Sequence, residues 1–156
     1  MQSQPIIADL SGLYNEDFFE WTRRNAELLR AGHVRQSDIQ HIAEEIEHLG
    51  KHDLKELHHR VRALLAHLLV GPLQTPNHAH WRLAPVTVER IWLDGLIRYS
   101  PSLKTILAKE LPVYYAEAAR LAKAMARTAP GHERFPAECP FTLDQILDPE
   151  FLPRVQ

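Results

Sequence analysis

Six of the chain's ten histidines fall between His41 and His67, in the stretch HIAEEIEHLGKHDLKELHHRVRALLAH, with carboxylates among them. Neutral imidazole binds divalent metals and moves protons near neutral pH, and a neighbouring carboxylate can add an oxygen ligand. His48 and His52 stand four residues apart, the spacing at which two imidazoles on one helix face can hold one metal ion. Glu45 or Glu44 could supply the oxygen, so a divalent metal at Glu45, His48 and His52 is the cofactor this pattern would take. The stronger forms of that chemistry fit less well. HLGKH lacks the central glutamate of the His-Glu-x-x-His zinc hydrolases. Glu45 and His48 have the Glu-x-x-His spacing of carboxylate-bridged di-iron bundles, whose ligands point into the core.

Whether these residues can act depends on the helix that carries them. Its apolar period predicts a helix from Ser37, where SDIQ reads as a capping box, to just before Gly71-Pro72. That is roughly 50 Å at the usual rise. Gly50 costs about 1 kcal/mol relative to alanine. Ile39, Ala43, Ile46, Leu57, Val61, Leu64 and Leu68 nevertheless keep one phase across it, which predicts one helix, with Gly50 as the place for any bend. On the same wheel His41, His48, His52 and His59 form a line almost opposite the apolar stripe, flanked by Glu45 and Lys55. The Glu45–His48 pair therefore points away from the predicted core. The bland reading of the line is a solvated polar face, with His48 and His52 exposed and no carboxylate holding their rings. The alternatives are a metal site, or a face that meets another chain and responds to protonation near pH 6 to 7.

The remaining elements also read as helices. One is expected from Glu16 to Ala31, with Asn15 as cap, Phe18, Trp21, Leu28 and Leu29 on a buried flank, and Gly32 as the stop. Another is expected to begin near Pro85, with Val88, Ile91, Trp92, Leu96 and Tyr99 at helical spacing. SPSL ends it and opens the next, with Ser100 as cap and Pro101 in the first turn. That next helix carries Leu103, Ile106, Leu107, Tyr114, Ala118, Leu121 and Met125 on one stripe, passes through Pro112 with a kink, and closes at the APG of Ala129. The extended tail HERFPAECPF is apolar enough to pack across a bundle end. A short helix follows, opened by a second capping box, TLDQ, at Thr142.

Composition narrows the function classes. A chain of 156 residues, 45% hydrophobic and 24% charged, suits one soluble domain. Its net charge of −2 provides no field to recruit nucleic acid or an anionic membrane. RRNAELLRAGHVR, interrupted by Glu27, reads as a solvated face and not as a nucleic-acid surface. The single Cys139 reads as an inert thiol of a reducing compartment. With no signal-like or membrane-spanning run, a cytoplasmic protein is expected. Trp21, Trp81 and Trp92 read as core or interface anchors, and His67 as a half-buried histidine bonded to a neighbour. Histidines His33, His78, His80 and His132 fall in predicted loops. No glycine-rich phosphate loop or serine nucleophile elbow occurs.

Taken together, LYNEDFFEWTRRNAELLRAG, IAEEIEHLG, LLAHLL, Trp81, SPSL and FPAECPFTLDQILDPEFLP resemble the domain of unknown function 29 family of small bacterial proteins, from about Leu13 to Pro153. The positions on its motifs are Asp17, Phe18, Trp21, Glu44, Glu45, Leu49, Gly50, His67, Trp81, Pro101, Pro136, Cys139 and Pro140. The chain departs from the pattern at Val70-Gly71, where a basic-aromatic pair is usual, and at HAHW, where Ser-Trp is usual. The resemblance implies a helical protein and brings no established catalytic residue. Of the helix histidines only His67 lies on a motif.

The expectation is therefore an all-α, mainly antiparallel four-helix bundle with a short C-terminal helix and extended tail. It forms a single domain over residues 1–156, with 1–13 flexible or loosely docked. Functionally it reads as a non-enzymatic interaction or self-associating module, a homo-oligomer with room for another protein partner and no resident cofactor. The surplus length of the long helix favours a two-fold partner. The alternative is a metal-binding or metal-dependent protein using Glu and His of the second helix.

Overall fold

A computed structural model describes residues 10–73, 79–126 and 135–153, with backbone alone for 79–83. Six α-helices account for most of it: α1 (Leu10–Glu16), α2 (Phe18–Arg30), α3 (Ile39–Val70), α4 (Ala79–Tyr99), α5 (Ser102–Met125) and α6 (Leu143–Leu147). Two 3-10 turns, Val34–Gln36 and Gly71–Leu73, flank α3, and no strand occurs among the described residues. The all-α expectation holds. No helix among the described residues is long and apolar enough to cross a membrane.

The chain divides into two compact units, Met1–His52 and Asp53–Gln156. In the first, the helix expected over 16–31 is α2, and a separate helix that was not expected, α1, precedes it. Asp17 leaves helical geometry, with φ −149° and ψ 86°, and its carboxylate caps α2 by accepting the Glu20 N–H at 3.0 Å. Asn15, expected as the cap, lies inside α1. Leu10–Leu13 form the first turn of α1, with Leu10 buried. At the other end of α2, Gly32 has φ +74°, the His33 N–H reaches the Leu28 carbonyl and the Gly32 N–H that of Leu29. This is a Schellman closure that needs the left-handed glycine. Of the expected buried flank only Trp21 is buried; Leu28 is half-buried, and Phe18 and Leu29 are exposed. On the surface of α2, Glu20 bonds Arg23 and Arg24, which hold its carboxyl at about 2, and Arg23 also pairs with Glu27. Arg30, His33 and Arg35 of the same stretch are exposed, in line with the solvated face expected there.

Helix α3 runs unbroken through Gly50 to Val70, as its phase requires. Its start differs from expectation. The Ser37 hydroxyl donates to the Val34 carbonyl, and the Asp38 carboxylate instead faces the first-turn N–H of His41. The predicted capping box therefore does not form.

The second unit holds the hydrophobic core. Leu57, Val61, Leu64, Leu65 and Leu68 of α3 pack with Val86 and Leu93 of α4, Leu103, Leu107, Tyr114, Tyr115, Ala118 and Ala122 of α5, and Ile146 of α6. Three long helices make this core and α6 closes it; the helix expected as the fourth member of one bundle belongs to the first unit. α4 begins six residues before Pro85, which sits inside it, so the expected start near Pro85 and the loop placement of His80 are both corrected. α5 passes through Pro112 as read. Its N-cap is Pro101 and not Ser100. Past Tyr114 its buried side shifts to Tyr115, Ala118, Ala122 and Ala126, leaving Leu121 and Met125 exposed. The APG closure at Ala129, together with His78 and His132, lies outside the described residues.

The C-terminal segment packs onto this core. Phe135, Cys139 and Phe141 lie half-buried against it, and the Tyr115 hydroxyl donates to the Pro136 carbonyl at 2.7 Å. The capping box of α6 forms in both directions between Thr142 and Gln145. Arg90, buried on α4, then fastens the segment. Its Nε donates to the Ile146 carbonyl at 2.9 Å, one terminal nitrogen to Gln145 at 3.1 Å, and the other to Phe151 at 2.9 Å and Pro149 at 3.3 Å. Two of these acceptors belong to the last turn of α6, where carbonyls lack helical partners. A planar guanidinium fits this set because its N–H groups diverge in one plane.

Candidate functional site

The first turns of α3 place His41 and Glu45, at the start of the histidine line, on the side that packs within their own unit. The His41 ring stacks on Tyr14 at 4.1 Å between centroids and 17° between planes. Its Nδ1 lies 2.7 Å from Asp38 Oδ2, and that oxygen also accepts the Trp21 indole N–H at 3.1 Å. Buried Asn25 joins the same knot, accepting the Asp38 N–H at 2.8 Å and donating to the Trp21 carbonyl. The Tyr14 hydroxyl donates to Glu45, and this contact raises the phenol pKa. Burial would raise the Asp38 carboxyl, but the bonds from His41 and Trp21 outweigh it and set it below the ordinary range. Ile39 and Ile46, expected on the core stripe, are exposed, at 46% and 64%. In this unit His41 and Glu45 of the polar line are packed, and the expected apolar stripe is not. This was missed because hydropathy alone predicts the side that faces a core, whereas aromatic Tyr14 and Trp21 accept imidazole and carboxylate as packing partners.

His48 and His52 are both exposed, as expected. His48 Nδ1 lies 3.6 Å from Glu45 Oε1, which is beyond a hydrogen bond. Glu45, the proposed oxygen ligand, is already engaged by Tyr14. Among the described residues no group of three or more His, Cys, Asp and Glu side chains is placed to hold a metal ion. His59 is exposed on the same helix, while His58 turns toward α5, with Nε2 2.7 Å from Glu117 and its ring against Tyr114. His67 is half-buried, and burial lowers its pKa, with Glu89 pulling weakly the other way; no hydrogen bond to its ring occurs among the described residues. Burial pushes the Cys139 thiol up, against a weaker lowering by the Phe141 carbonyl it contacts. The side chain of Trp81 lies outside the described residues.

A second apolar surface lies on α4. Val86, Arg90 and Leu93 face the core, with Ile97 half-buried on the same side. The residues singled out by their helical spacing, Val88, Ile91, Trp92 and Tyr99, therefore point outward. Ile91 is 65% exposed, Trp92 56% and Tyr99 83%. Of the residues read as one face, only Leu96 packs against the core. Gly95 lies within the outward stripe, and a Cβ there would meet nothing within 4 Å. The Arg60 guanidinium stands 4.8 Å from the centre of the Trp92 ring, held there by Glu56 and Glu89. α4 is thus apolar on two opposite sides, one covered by its own core and one bare. The signal was present in the sequence as a second apolar series at helical spacing, Val86, Leu93 and Ile97.

No curated protein and no solved structure matches the chain. The family model described as Domain of unknown function DUF29 matches residues 13–152, nearly the whole length. The chain belongs to the domain of unknown function DUF29 family.

Proposed function

We propose that this protein is a non-enzymatic interaction module that self-associates through the outward face of α4. The observation that carries the reading is the row Val88, Ile91, Trp92 and Tyr99, bare on a helix whose opposite side already fills the core. A helix with apolar residues all round is usually covered on all sides. Contiguous exposed apolar patches on small domains mark contact surfaces, and tryptophan and tyrosine are the residues enriched at their energetic centres. Sedimentation velocity over a range from low to tens of micromolar tests the reading. A concentration-dependent dimer is expected, and a monomer throughout sinks it.

A second reading is a divalent metal on Glu45, His48 and His52, favoured by the 3.6 Å approach of His48 to Glu45 on one turn of α3. It would require Glu45 to give up its bond from Tyr14. Metal analysis of untagged protein tests it: one zinc or iron per chain, lost in His48→Ala/His52→Ala, would support it, and metal-free protein would refute it.

A further inference from the structure

We infer that two copies meet with their α4 helices antiparallel about a two-fold axis at Gly95, pairing Trp92 with the partner's Tyr99 and Asp94 with the partner's Arg98. This deepens the self-association reading and rests on it. The argument starts from the helical wheel. At 100° per residue, Val88, Ile91, Trp92, Gly95 and Tyr99 fall in one stripe with Gly95 near its centre. Gly95 is exposed, costs helix stability, and among the described residues has no contact that demands a missing Cβ. A second backbone crossing closely at that point gives it a use.

The symmetry then fixes what meets what. A two-fold axis perpendicular to the helix at residue 95 brings residues equally far before and after it to the same height. Tyr99 of one copy arrives at the level of Ile91 and Trp92 of the other. Trp92 and Tyr99 lie on the same side of the stripe, so the axis makes two identical Trp–Tyr contacts. Asp94 and Arg98 lie on the opposite side of the stripe. They pair within the helix, and their side chains remain 58% and 77% exposed. Across the axis Arg98 of each copy lands beside Asp94 of the other, giving a closed set of four alternating charges. It also lands near a cavity of about 260 Å³ lined by Thr87, Arg90, Ile91, Asp94, Leu147 and Pro149, where Arg90 is already engaged by backbone carbonyls. The face thus matches its own copy in both aromatic and charge pattern, as an isologous interface requires. It commits to a second copy and not to an unrelated partner for that reason.

Charge reversal tests this. Asp94→Arg and Arg98→Asp are made singly, with folding checked by circular dichroism. Each variant alone should dimerise more weakly than wild type by on the order of tenfold or more. An equimolar mixture of the two should recover dimer, because each Arg then faces an Asp across the axis. As a second measurement, Gly95→Cys in a Cys139→Ser background should form a disulfide-linked dimer under mild oxidation, while Leu49→Cys on α3 should not. If wild type dimerises but both reversals leave its affinity unchanged, or if the mixture recovers nothing, or if Leu49→Cys crosslinks and Gly95→Cys does not, this geometry is overturned while self-association stands. If wild type is a monomer throughout, both fall.

Discussion

Replacing Arg90 by methionine keeps most of the aliphatic stem of a buried side chain and deletes its guanidinium. Four carbonyls, those of Gln145, Ile146, Pro149 and Phe151, then lose a charged donor at once. Each such bond contributes about 1 to 1.5 kcal/mol net. Removing a buried charge also returns part of its desolvation cost, and water can reach some of the freed carbonyls near the end of the segment. The balance is a loss of about 3 kcal/mol in unfolding free energy, a large fraction of a small protein's stability. Arg90→Lys keeps the charge but reaches fewer carbonyls, so it should fall between wild type and methionine. Urea unfolding gives the size of the effect and amide hydrogen exchange gives its location. Protection should drop first in Leu143–Leu147, because Arg90 covers the last turn of α6, while the α3 and α5 amides change only with global stability. A methionine variant within about 0.5 kcal/mol of wild type, with α6 as protected as before, would refute the assignment of Arg90 as the fastener of the C-terminal segment.

Asn25→Ala removes the bridge between the Trp21 carbonyl and the Asp38 N–H, both inside a poorly apolar unit. It should cost about 2 kcal/mol in urea unfolding, and a change under about 0.5 would show the bridge to be incidental. His67 has a folded pKa below its unfolded value, so between the two the unfolded state binds more protons and stability falls as pH drops. The thermal midpoint should therefore decline as pH is lowered from 7 through the His67 window, and His67→Gln should flatten that decline; an unchanged slope would assign it to other groups. His48→Ala/His52→Ala should shift stability by under about 0.5 kcal/mol, as at ordinary exposed positions, and zinc titration of wild type by calorimetry should give only weak binding without integral stoichiometry. Tight one-to-one zinc binding that the double variant abolishes would reverse that assignment.

The parts of the fold that were legible in the sequence rest on local chemistry. The Thr142 capping box, the left-handed stop at Gly32 and the continuity of α3 through Gly50 each depend on a few neighbouring residues, and each formed as read. Two failures were local, where near-equal caps compete: Asp17 caps α2 although Asn15 looked the better cap, and Ser37 spends its hydroxyl on the Val34 carbonyl. The others depended on distant partners. On α4 two apolar series at helical spacing compete, and the one that faces the core holds Arg90, which reaches carbonyls more than fifty residues on. An arginine among apolar residues marks the wet side of a helix by hydropathy, yet here it marks the buried one. The candidate site shows the same division. The exposure of His48 and His52 followed from their place on the wheel, whereas the docking of His41 under Tyr14 follows from α1, where no helix was expected.

The central claim, that the outward face of α4 is a contact between copies, is met most directly by sedimentation equilibrium on three proteins. These are wild type, Ile91→Asp on α4 and Ile46→Asp on α3, two changes at similarly exposed isoleucines. An aspartate within the contact should abolish dimer at tens of micromolar, while the same change on α3 should leave the wild-type equilibrium intact. A wild-type monomer across that range, or a dimer that Ile91→Asp leaves untouched, would contradict the account.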